Sequence, residues 1–273
     1  MIAVVHIHKT AGTTLASVFK RSYGARHLDV LKIDRTVPHM TPDELRMTMN
    51  RHYPRLDSIS AHPVRVYSGL EQVVPDIDYL CFVRDPIVRT ASHYQYDVQR
   101  GGVDLPFEEW IGHDAVRDRQ TRIIAGDDGT AEDAIALLGR FAFVGRSDRF
   151  DESLVLMQRR LAIPDIRYFS KWVAPNNEIK QGLLENPETV EMLESVNQHD
   201  LKVWQHVVDE VYPKQVSEFG PGLDEAVEAF RTRNGRMSKL RLYANWNYLR
   251  YVEKWRRRYR PWVRRMTGDP TAG

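Results

Sequence analysis

The sequence has almost no cysteine and no long apolar run. Its 273 residues include one cysteine, Cys81, inside the apolar stretch 79–83. A single thiol forms no disulfide framework, so we expect a small buried core side chain there. No stretch reaches the roughly 18 apolar residues that a membrane span needs. The first apolar run begins at residue 2 without a basic leader, so we expect a cytoplasmic protein.

Metal-ligand patterns are also missing. The His, Cys, Asp and Glu residues do not recur at the spacings of known metal sites, so we expect no metal. Hydrophobic residues make up 42% of the chain and charged residues 28%. These proportions are typical of a globular protein that buries a sizeable core.

The small net charge of +2 conceals an uneven distribution. Residues 231–265 contain thirteen Lys and Arg but a single acid, Glu253, which leaves the rest of the chain near −10. Residues 238–265 have the pattern of one long helix, with an aromatic and apolar side opposite an arginine-rich side. Three roles stay open for this segment: docking on the main domain, capture of an anionic acceptor, or peripheral contact with an anionic membrane. No recognition motif accompanies the charge, so nucleic acid is not an expected partner.

Strand and helix patterns alternate along the first half of the chain. The predicted strands are 2–7, 27–33, 56–61, 79–83, 141–144 and 166–169. The predicted helices are 14–22, 41–52, 87–100, 106–112, 115–124, 131–139 and 150–161, with further helices beyond 175 and breaks at Pro187, Pro213 and 220–222. This order predicts a three-layer αβα domain with a central parallel sheet. Ligands of such sheets bind at the carboxyl ends of the strands, so the loops after residues 7, 61 and 83 are the candidate site.

The first of these loops suits a phosphate or sulfate group. It contains Lys9, Thr10, Ala11, Gly12, Thr13 and Thr14, and a helix follows. Backbone N–H groups at a helix start favour an anion, glycine permits close approach, and the hydroxyls and the lysine add donors and charge. The nucleotide loop G-x-x-x-x-G-K-[ST] is absent, because no glycine precedes Lys9. An ordinary helix start with a surface lysine remains the alternative.

The loop after residue 83 suits a second anion. Arg84 follows a predicted strand and can bind a phosphate through two parallel hydrogen bonds. Ser92, eight residues later, can add a hydroxyl. Asp85 and Arg89 are four residues apart, so we expect them to pair with each other or to brace the turn. An Arg–Asp pair that only caps a helix is the alternative.

Both segments resemble motifs of the sulfotransferases. HIHKTAGTTL, residues 6–15, resembles the 5′-phosphosulfate loop of the carbohydrate type, such as heparan sulfate 2-O- and bacterial sulfotransferases, with His8 where that family usually has proline. CFVRDPIVRTASHY, residues 81–94, resembles their 3′-phosphate motif. Residues 120–126 and 143–153 are also similar to segments of these enzymes. The likeness covers about residues 2–210.

The resemblance implies a P-loop NTPase-like sulfotransferase fold and the cofactor 3′-phosphoadenosine 5′-phosphosulfate (PAPS), whose product is adenosine 3′,5′-bisphosphate (PAP). It implies that residues 9–14 bind the 5′ end of the cofactor and that Arg84 and Ser92 bind its 3′-phosphate. The reaction would transfer a sulfuryl group in line to a hydroxyl of a carbohydrate or glycolipid. Residues 1–230 would form the catalytic domain, and residues 231–273 a basic, aromatic-rich helical extension. A peripheral membrane location would follow if this extension contacts lipid.

Two residues are expected to act in the chemistry. Lys9 would neutralise the leaving oxygen, and His62, after a predicted strand, has the pKa of a general base. Related enzymes have a histidine or glutamate base near this position; a substrate contact or a structural role is the alternative for His62. We expect His93 to be exposed or to pack, and His6 to be a hydrogen-bonded core residue; His8 is a further candidate for cofactor contact.

Three other interpretations stay open. Residues 171–177 form either a plain surface loop or a loop that closes over the adenosine through Lys171 and Asn176. The whole protein is alternatively a nucleotide kinase or another ATP-dependent enzyme with a variant loop. It is alternatively a non-catalytic binder of anionic glycans or membranes that uses the basic tail.

Overall fold

A parallel sheet forms the centre of the molecule. The computed structural model describes residues 1–30, 37–50, 55–168 and 176–236. Within them the strands are β1 (Ile2–Val5), β2 (His27–Asp29), β3 (Ser58–Ala61), β4 (Asp78–Val83) and β5 (Phe141–Arg146). Their order is β2-β3-β1-β4-β5, and every neighbouring pair is parallel. The predicted central parallel sheet is confirmed.

Helices flank the sheet. In the described residues they are α1 (Gly12–Tyr23), α2 (Pro42–Asn50), α3 (Pro86–Tyr96), α4 (Phe107–Ile111), α5 (Arg119–Ala125), α6 (Ala131–Leu138), α7 (Phe150–Leu161), α8 (Glu178–Glu185), α9 (Pro187–Ser195), α10 (Gln198–His206), α11 (Tyr212–Phe219) and α12 (Leu223–Gly235). All four residues of β1 are at most 6% exposed. Successive strand residues point to opposite faces, so helices cover both faces of the sheet, as the three-layer prediction requires.

Local sequence signals explain several of these helices. Leu15, Val18 and Phe19 lie on one side of α1 and are at most 1% exposed, so the helix packs on the sheet. At the start of α2 the Thr41 hydroxyl accepts from the Glu44 N–H at 3.2 Å, and the Thr41 N–H donates to the Glu44 carboxylate at 3.0 Å. A capping Thr41, Pro42 at the first helical position and Glu44 at the third are the sequence pattern that predicts such a reciprocal cap. The predicted helix 150–161 has the bounds of α7.

Two predictions on element boundaries are wrong. Residues 166–168 are not a strand, and the Tyr168 N–H donates to the Asn234 side chain of α12 at 2.8 Å. Pro213 does not break the chain, because α10 continues through a π-helical turn, Val207–Val211, into α11. The wider turn accommodates a residue that lacks an N–H and crowds the carbonyl four positions earlier.

The basic extension is largely outside the described residues. Residues 237–273 and 169–175 are not described, so the predictions for the helix 238–265 and for Lys171 stay untested. Helix α12 runs across the proposed boundary at residue 230. No helix of the described residues combines the length and the apolar character that crossing a bilayer requires.

Candidate active site

The two motif loops lie side by side. β1 and β4 are neighbours, with Val5 opposite Cys81, so the loops after them leave the same edge of the sheet. The Arg84 guanidinium donates from Nη1 to the Lys9 carbonyl at 3.1 Å. Segments 75 residues apart in sequence therefore meet at one place on this edge, which we call the cleft and which contains Lys9 and Arg84.

The backbone before α1 is shaped like an anion nest. Lys9 and Ala11 have φ values of 67° and 65°, in the left-handed region that few side chains adopt. Among the residues that the structure describes, no side chain caps the start of α1, and its first turn holds no acid. The first α-helical bond runs from the Leu15 N–H to the Ala11 carbonyl. The N–H groups of residues 12–14 therefore remain for an anion, together with the positive end of the helix dipole.

Two residues of this loop also have structural roles that the sequence did not reveal. The Thr10 hydroxyl donates to the Ile7 carbonyl at 3.0 Å, and Thr10 is 1% exposed, so that hydroxyl holds the loop together. Gly12 makes room for the His6 imidazole, because a Cβ on Gly12 would overlap the ring. Contact of Thr10 with a cofactor would therefore use its N–H, while Thr13 is half-buried at the loop surface.

Lys9 is half-buried among like charges. Its ammonium lies 4.3 Å from the centre of the Tyr96 ring, which is 41% exposed. Burial, and then the charge of Arg84, lowers the Lys9 pKa from 10.5 to about 8, although Asp97 opposes the shift. No described carboxylate forms an ion pair with Lys9 or with Arg84. A bound anion would relieve this crowding.

Arg84 is fixed through its backbone. Its N–H donates to the Gln120 side-chain oxygen at 3.0 Å, and its carbonyl accepts from the Gln120 amide at 2.9 Å. The Asp85 carboxylate accepts from the Val88 N–H at 2.9 Å and so caps α3. Ser92 lies within α3, eight residues after Arg84. Its side chain is half-buried and has no hydrogen-bond partner among the described residues. Its hydroxyl is available.

Of the two alternatives predicted for Asp85 and Arg89, pairing with each other is not observed, whereas bracing of the turn is confirmed for Asp85. Asp85 braces the turn, but Arg89 is fully buried and donates from Nη2 to the Thr90 hydroxyl at 2.7 Å. Its Nε lies 4.0 Å from Asp200 Oδ2. The Asp85 carboxylate accepts from the Val88 N–H, and Arg89 pairs instead with Asp200 at the start of α10.

His62 has the geometry of a general base. It follows β3 directly and is stacked between His6, at 4.1 Å between ring centres, and His8, at 3.8 Å. Its Nδ1 lies 3.0 Å from the His6 carbonyl. A carbonyl only accepts, so Nδ1 carries the proton and Nε2 of the neutral ring has a free lone pair.

The surroundings keep His62 neutral. Loss of hydration where the flanking rings cover it lowers its pKa below 6.5. The bond to the His6 carbonyl opposes this shift, while the charges of Arg65 and Arg119 add to it. At neutral pH the ring is therefore in the form that accepts a proton.

The other histidines pack around this base. Burial is the first cause that lowers the pKa of His6 and of His93 to about 3 and that of His8 to about 2. His93 meets the Trp110 ring edge-on at 5.3 Å, as its expected packing role requires. His6 packs its ring against Gly12, is only half-buried, and has no side-chain hydrogen bond with a described residue, so the expectation of a hydrogen-bonded core residue is wrong.

Sequence reasoning missed four residues of this region. They are Tyr96, Arg119, Gln120 and Lys180. Burial, and then the charge of Arg84, lowers the pKa of Lys180. Gln120 falls in a segment with a family resemblance, which was the one available signal. Asn176 bonds instead to Gln99 and Glu178, both at the protein surface.

Comparisons with known proteins add little. No protein-family model matches the sequence, and no curated protein matches it. A solved structure, the sulfotransferase from Alicyclobacillus acidocaldarius, is similar to this chain with a TM-score of 0.38 and 13% sequence identity. The similarity covers 75% of this chain and 98% of that one. A likeness this low does not identify a function, which has to come from the residues of the cleft.

Proposed function

We propose that this protein is a sulfotransferase that moves a sulfuryl group from PAPS to a hydroxyl of a carbohydrate or glycolipid. One observation carries the proposal: the 3.1 Å bond between the Arg84 guanidinium and the Lys9 carbonyl, which joins two anion-binding loops in one cleft. Two anion sites at a fixed separation suit a nucleotide with phosphate groups at both its 5′ and 3′ positions.

The residues of the cleft fit such a cofactor. The uncapped N–H groups at the start of α1 and the Lys9 ammonium would hold the 5′ phosphosulfate. Arg84 and the unpartnered Ser92 hydroxyl would hold the 3′-phosphate. ATP has no 3′-phosphate, so the Arg84 site would discriminate against it.

The chain would then supply charge and a base. PAPS brings an activated sulfuryl group, and the protein has to orient the acceptor and offset developing charge. The Lys9 ammonium would face the oxygen on which negative charge develops; losing one such partner typically costs about 10²–10³ in rate. His62 Nε2 would accept the hydroxyl proton, a contribution of roughly 10²–10⁴.

Titration calorimetry with PAP and with ATP tests the proposal. PAP should bind at least about tenfold more tightly than ATP. Arg84→Gln should weaken PAP binding by about 10–100-fold, since a hydrogen bond to a charged group contributes about 1.5–3 kcal/mol. Arg117→Gln is the matched control, because Arg117 is exposed and its side chain has no partner among the described residues.

Each rival predicts a different result. Tighter binding of ATP than of PAP would favour a kinase-like enzyme. A non-catalytic binder would keep its glycan or membrane affinity in Lys9→Ala and would give no sulfated product from radiolabelled PAPS with a panel of glycans and lipids. The wild type should label at least one acceptor, and Lys9→Ala and His62→Ala should not.

A further inference from the structure

Arg65 is a buried arginine that bonds to its own loop. It is 9% exposed and lies three residues after His62, in the loop that follows β3. Its Nη1 donates to the His62 carbonyl and to the Val64 carbonyl, the latter at 3.0 Å, and the Tyr67 side chain is a further partner. No carboxylate in the described part of the chain forms an ion pair with it. The guanidinium therefore serves neutral groups of this loop and no anion.

The His62 carbonyl depends on this arginine. β3 ends at Ala61, and the residue after His62 is Pro63, which has no N–H to donate. The next N–H, that of Val64, donates instead to the Ala61 carbonyl at 3.4 Å. Arg65 is the one donor to the His62 carbonyl among the residues that the structure describes. Without it, this carbonyl would lose its partner at the point where the loop leaves the sheet.

The segment that carries Arg65 is itself fixed. The Arg65 carbonyl accepts from the Ser68 hydroxyl at 2.8 Å and from the Ser68 N–H at 3.4 Å. Its neighbours Val64 and Val66 are 0% exposed and belong to the main hydrophobic core. The guanidinium therefore reaches back from a fixed point across three residues, which leaves the backbone of His62 little freedom to move.

The His62 ring is held at a second point. Nδ1 lies 3.0 Å from the His6 carbonyl, and the ring stacks between His6 and His8. These contacts hold the ring from the loop after β1, while Arg65 holds the backbone of the same residue from the loop after β3. With both its ring and its backbone held, His62 presents Nε2 at a defined position. A catalytic group displaced by about 1 Å can lose about 10²-fold in rate.

A packing role alone would not require a charge at this position. Burying a cation that no anion neutralises costs free energy, and an apolar side chain of similar length would fill the same space without that cost. Burial accordingly lowers the pKa of Arg65. The guanidinium supplies what an apolar side chain would not: a donor to the His62 carbonyl, and a positive charge that helps to lower the His62 pKa.

We propose that Arg65 is a positioning residue, whose hydrogen bond to the His62 carbonyl sets the point at which Nε2 meets the acceptor hydroxyl. The proposal rests on the proposed function and adds a residue that touches neither the cofactor nor the acceptor. Arg65 acts through His62, so its loss should leave the anion-binding residues Lys9 and Arg84 unchanged.

Imidazole NMR of the PAP-saturated protein tests the proposal without turnover, with the His62 resonances assigned by their absence from His62→Ala. In the wild type, Nδ1 should carry the proton and the pKa should lie below 6.5. Arg65→Met removes the donors and the charge from a side chain of similar length. It should raise the His62 pKa toward 6.5 and increase the share of the tautomer protonated at Nε2. Arg65→Lys keeps a charge and a donor, so it should stay closer to the wild type in both signals.

Transfer and binding assays separate positioning from a merely structural role. With radiolabelled PAPS and the panel of glycans and lipids, Arg65→Met should label the same acceptors about 10–100-fold more slowly than the wild type. Its PAP affinity, measured by calorimetry, should stay within about twofold, and Arg65→Lys should recover part of the rate. Arg117→Gln removes an exposed arginine and should change none of these quantities.

An unchanged His62 pKa and tautomer in Arg65→Met would overturn the proposal, as would a loss of rate that Arg65→Lys does not recover at all. If Arg65→Met shows no cooperative urea transition, Arg65→Gln, which also lacks the charge, takes its place with the same expected results. Failure of the wild type to bind PAP or to label any acceptor would instead overturn the proposed function. The NMR signals of the Arg65 variants would still decide whether this arginine holds His62.

Discussion

Substitution of Gly12 by alanine tests the architecture of the loop most directly. A Cβ at this position would overlap the His6 imidazole, although the backbone φ of Gly12 is not in the left-handed region. The ring cannot move freely, because it stacks on His62 at 4.1 Å. Overpacking typically costs about 1–3 kcal/mol. A broken ring pair costs about 0.5–1.5 kcal/mol more.

A double-mutant cycle isolates this contact. Gly12→Ala alone should lower the free energy of unfolding by about 1–3 kcal/mol through overpacking, and by up to about 4.5 kcal/mol where the stacking of His6 on His62 is also lost. In a His6→Ala background the overlap is gone, so Gly12→Ala should be neutral or stabilising by up to about 1 kcal/mol, the helix preference of alanine over glycine. The His6 carbonyl, which accepts from His62, survives His6→Ala. Urea denaturation at constant m value gives the four free energies.

Gly182 in α8 provides the control, because a Cβ there meets no atom of the described residues within 4 Å. Gly182→Ala should stabilise the protein by about 0.5–1 kcal/mol in either background. Additive effects of Gly12→Ala and His6→Ala, within about 0.5 kcal/mol, would refute the proposed overlap. Weak PAP binding by the double variant would show that the ligand, and not only His6, needs glycine at position 12.

Three further predictions concern the protonation of His62 and Lys9, the hydrogen bonds of Gln120 to the Arg84 backbone, and the Thr130 cap of α6. The His62 pKa lies below 6.5 and the Lys9 pKa at about 8. The His62 ring would therefore accept a proton above its own pKa, and the Lys9 side chain would lose its charge above about pH 8, so kcat/KM for PAPS should have a bell-shaped pH dependence. A flat pH profile from about 6 to 9 would contradict these assignments. Gln120→Ala removes both hydrogen bonds to the Arg84 backbone and should weaken PAP binding, measured by calorimetry, about tenfold. Unchanged affinity would show that these two hydrogen bonds are not needed to position Arg84. Thr130→Ala removes the cap of α6 and should cost about 1 kcal/mol in urea denaturation, without changing PAP affinity.

The features predicted well from the sequence are those that local patterns determine. The strand–loop–helix order around residues 2–23, the reciprocal cap of α2 and the bounds of α7 all follow from periodicity and capping residues within a dozen positions. The positions of Lys9, His62 and Arg84 after parallel strands follow in the same way. The chemical roles of these three residues stay predictions.

Long-range contacts escaped the sequence for a physical reason. Gln120 hydrogen-bonds to the Arg84 backbone from 36 positions away. Arg89 forms an ion pair with Asp200 from 111 positions away. No local pattern distinguishes these residues from surface residues. The break predicted at Pro213 is wrong because it follows from a local rule for α-helices, which does not take into account a π-helical turn such as Val207–Val211.

The strand order also bears on the geometry of transfer. β1 lies between β3 and β4, so the Lys9 loop has His62 on one side and Arg84 on the other. An in-line displacement needs the attacking and leaving oxygens on opposite sides of the transferred group. With His62 as the base after β3 and Arg84 as the cofactor anchor after β4, as proposed, that requirement would be met without any movement of the sheet. A nucleotide anchored by Arg84 would therefore direct its 5′ end past Lys9 toward His62, and the acceptor would have to approach from the β3 side.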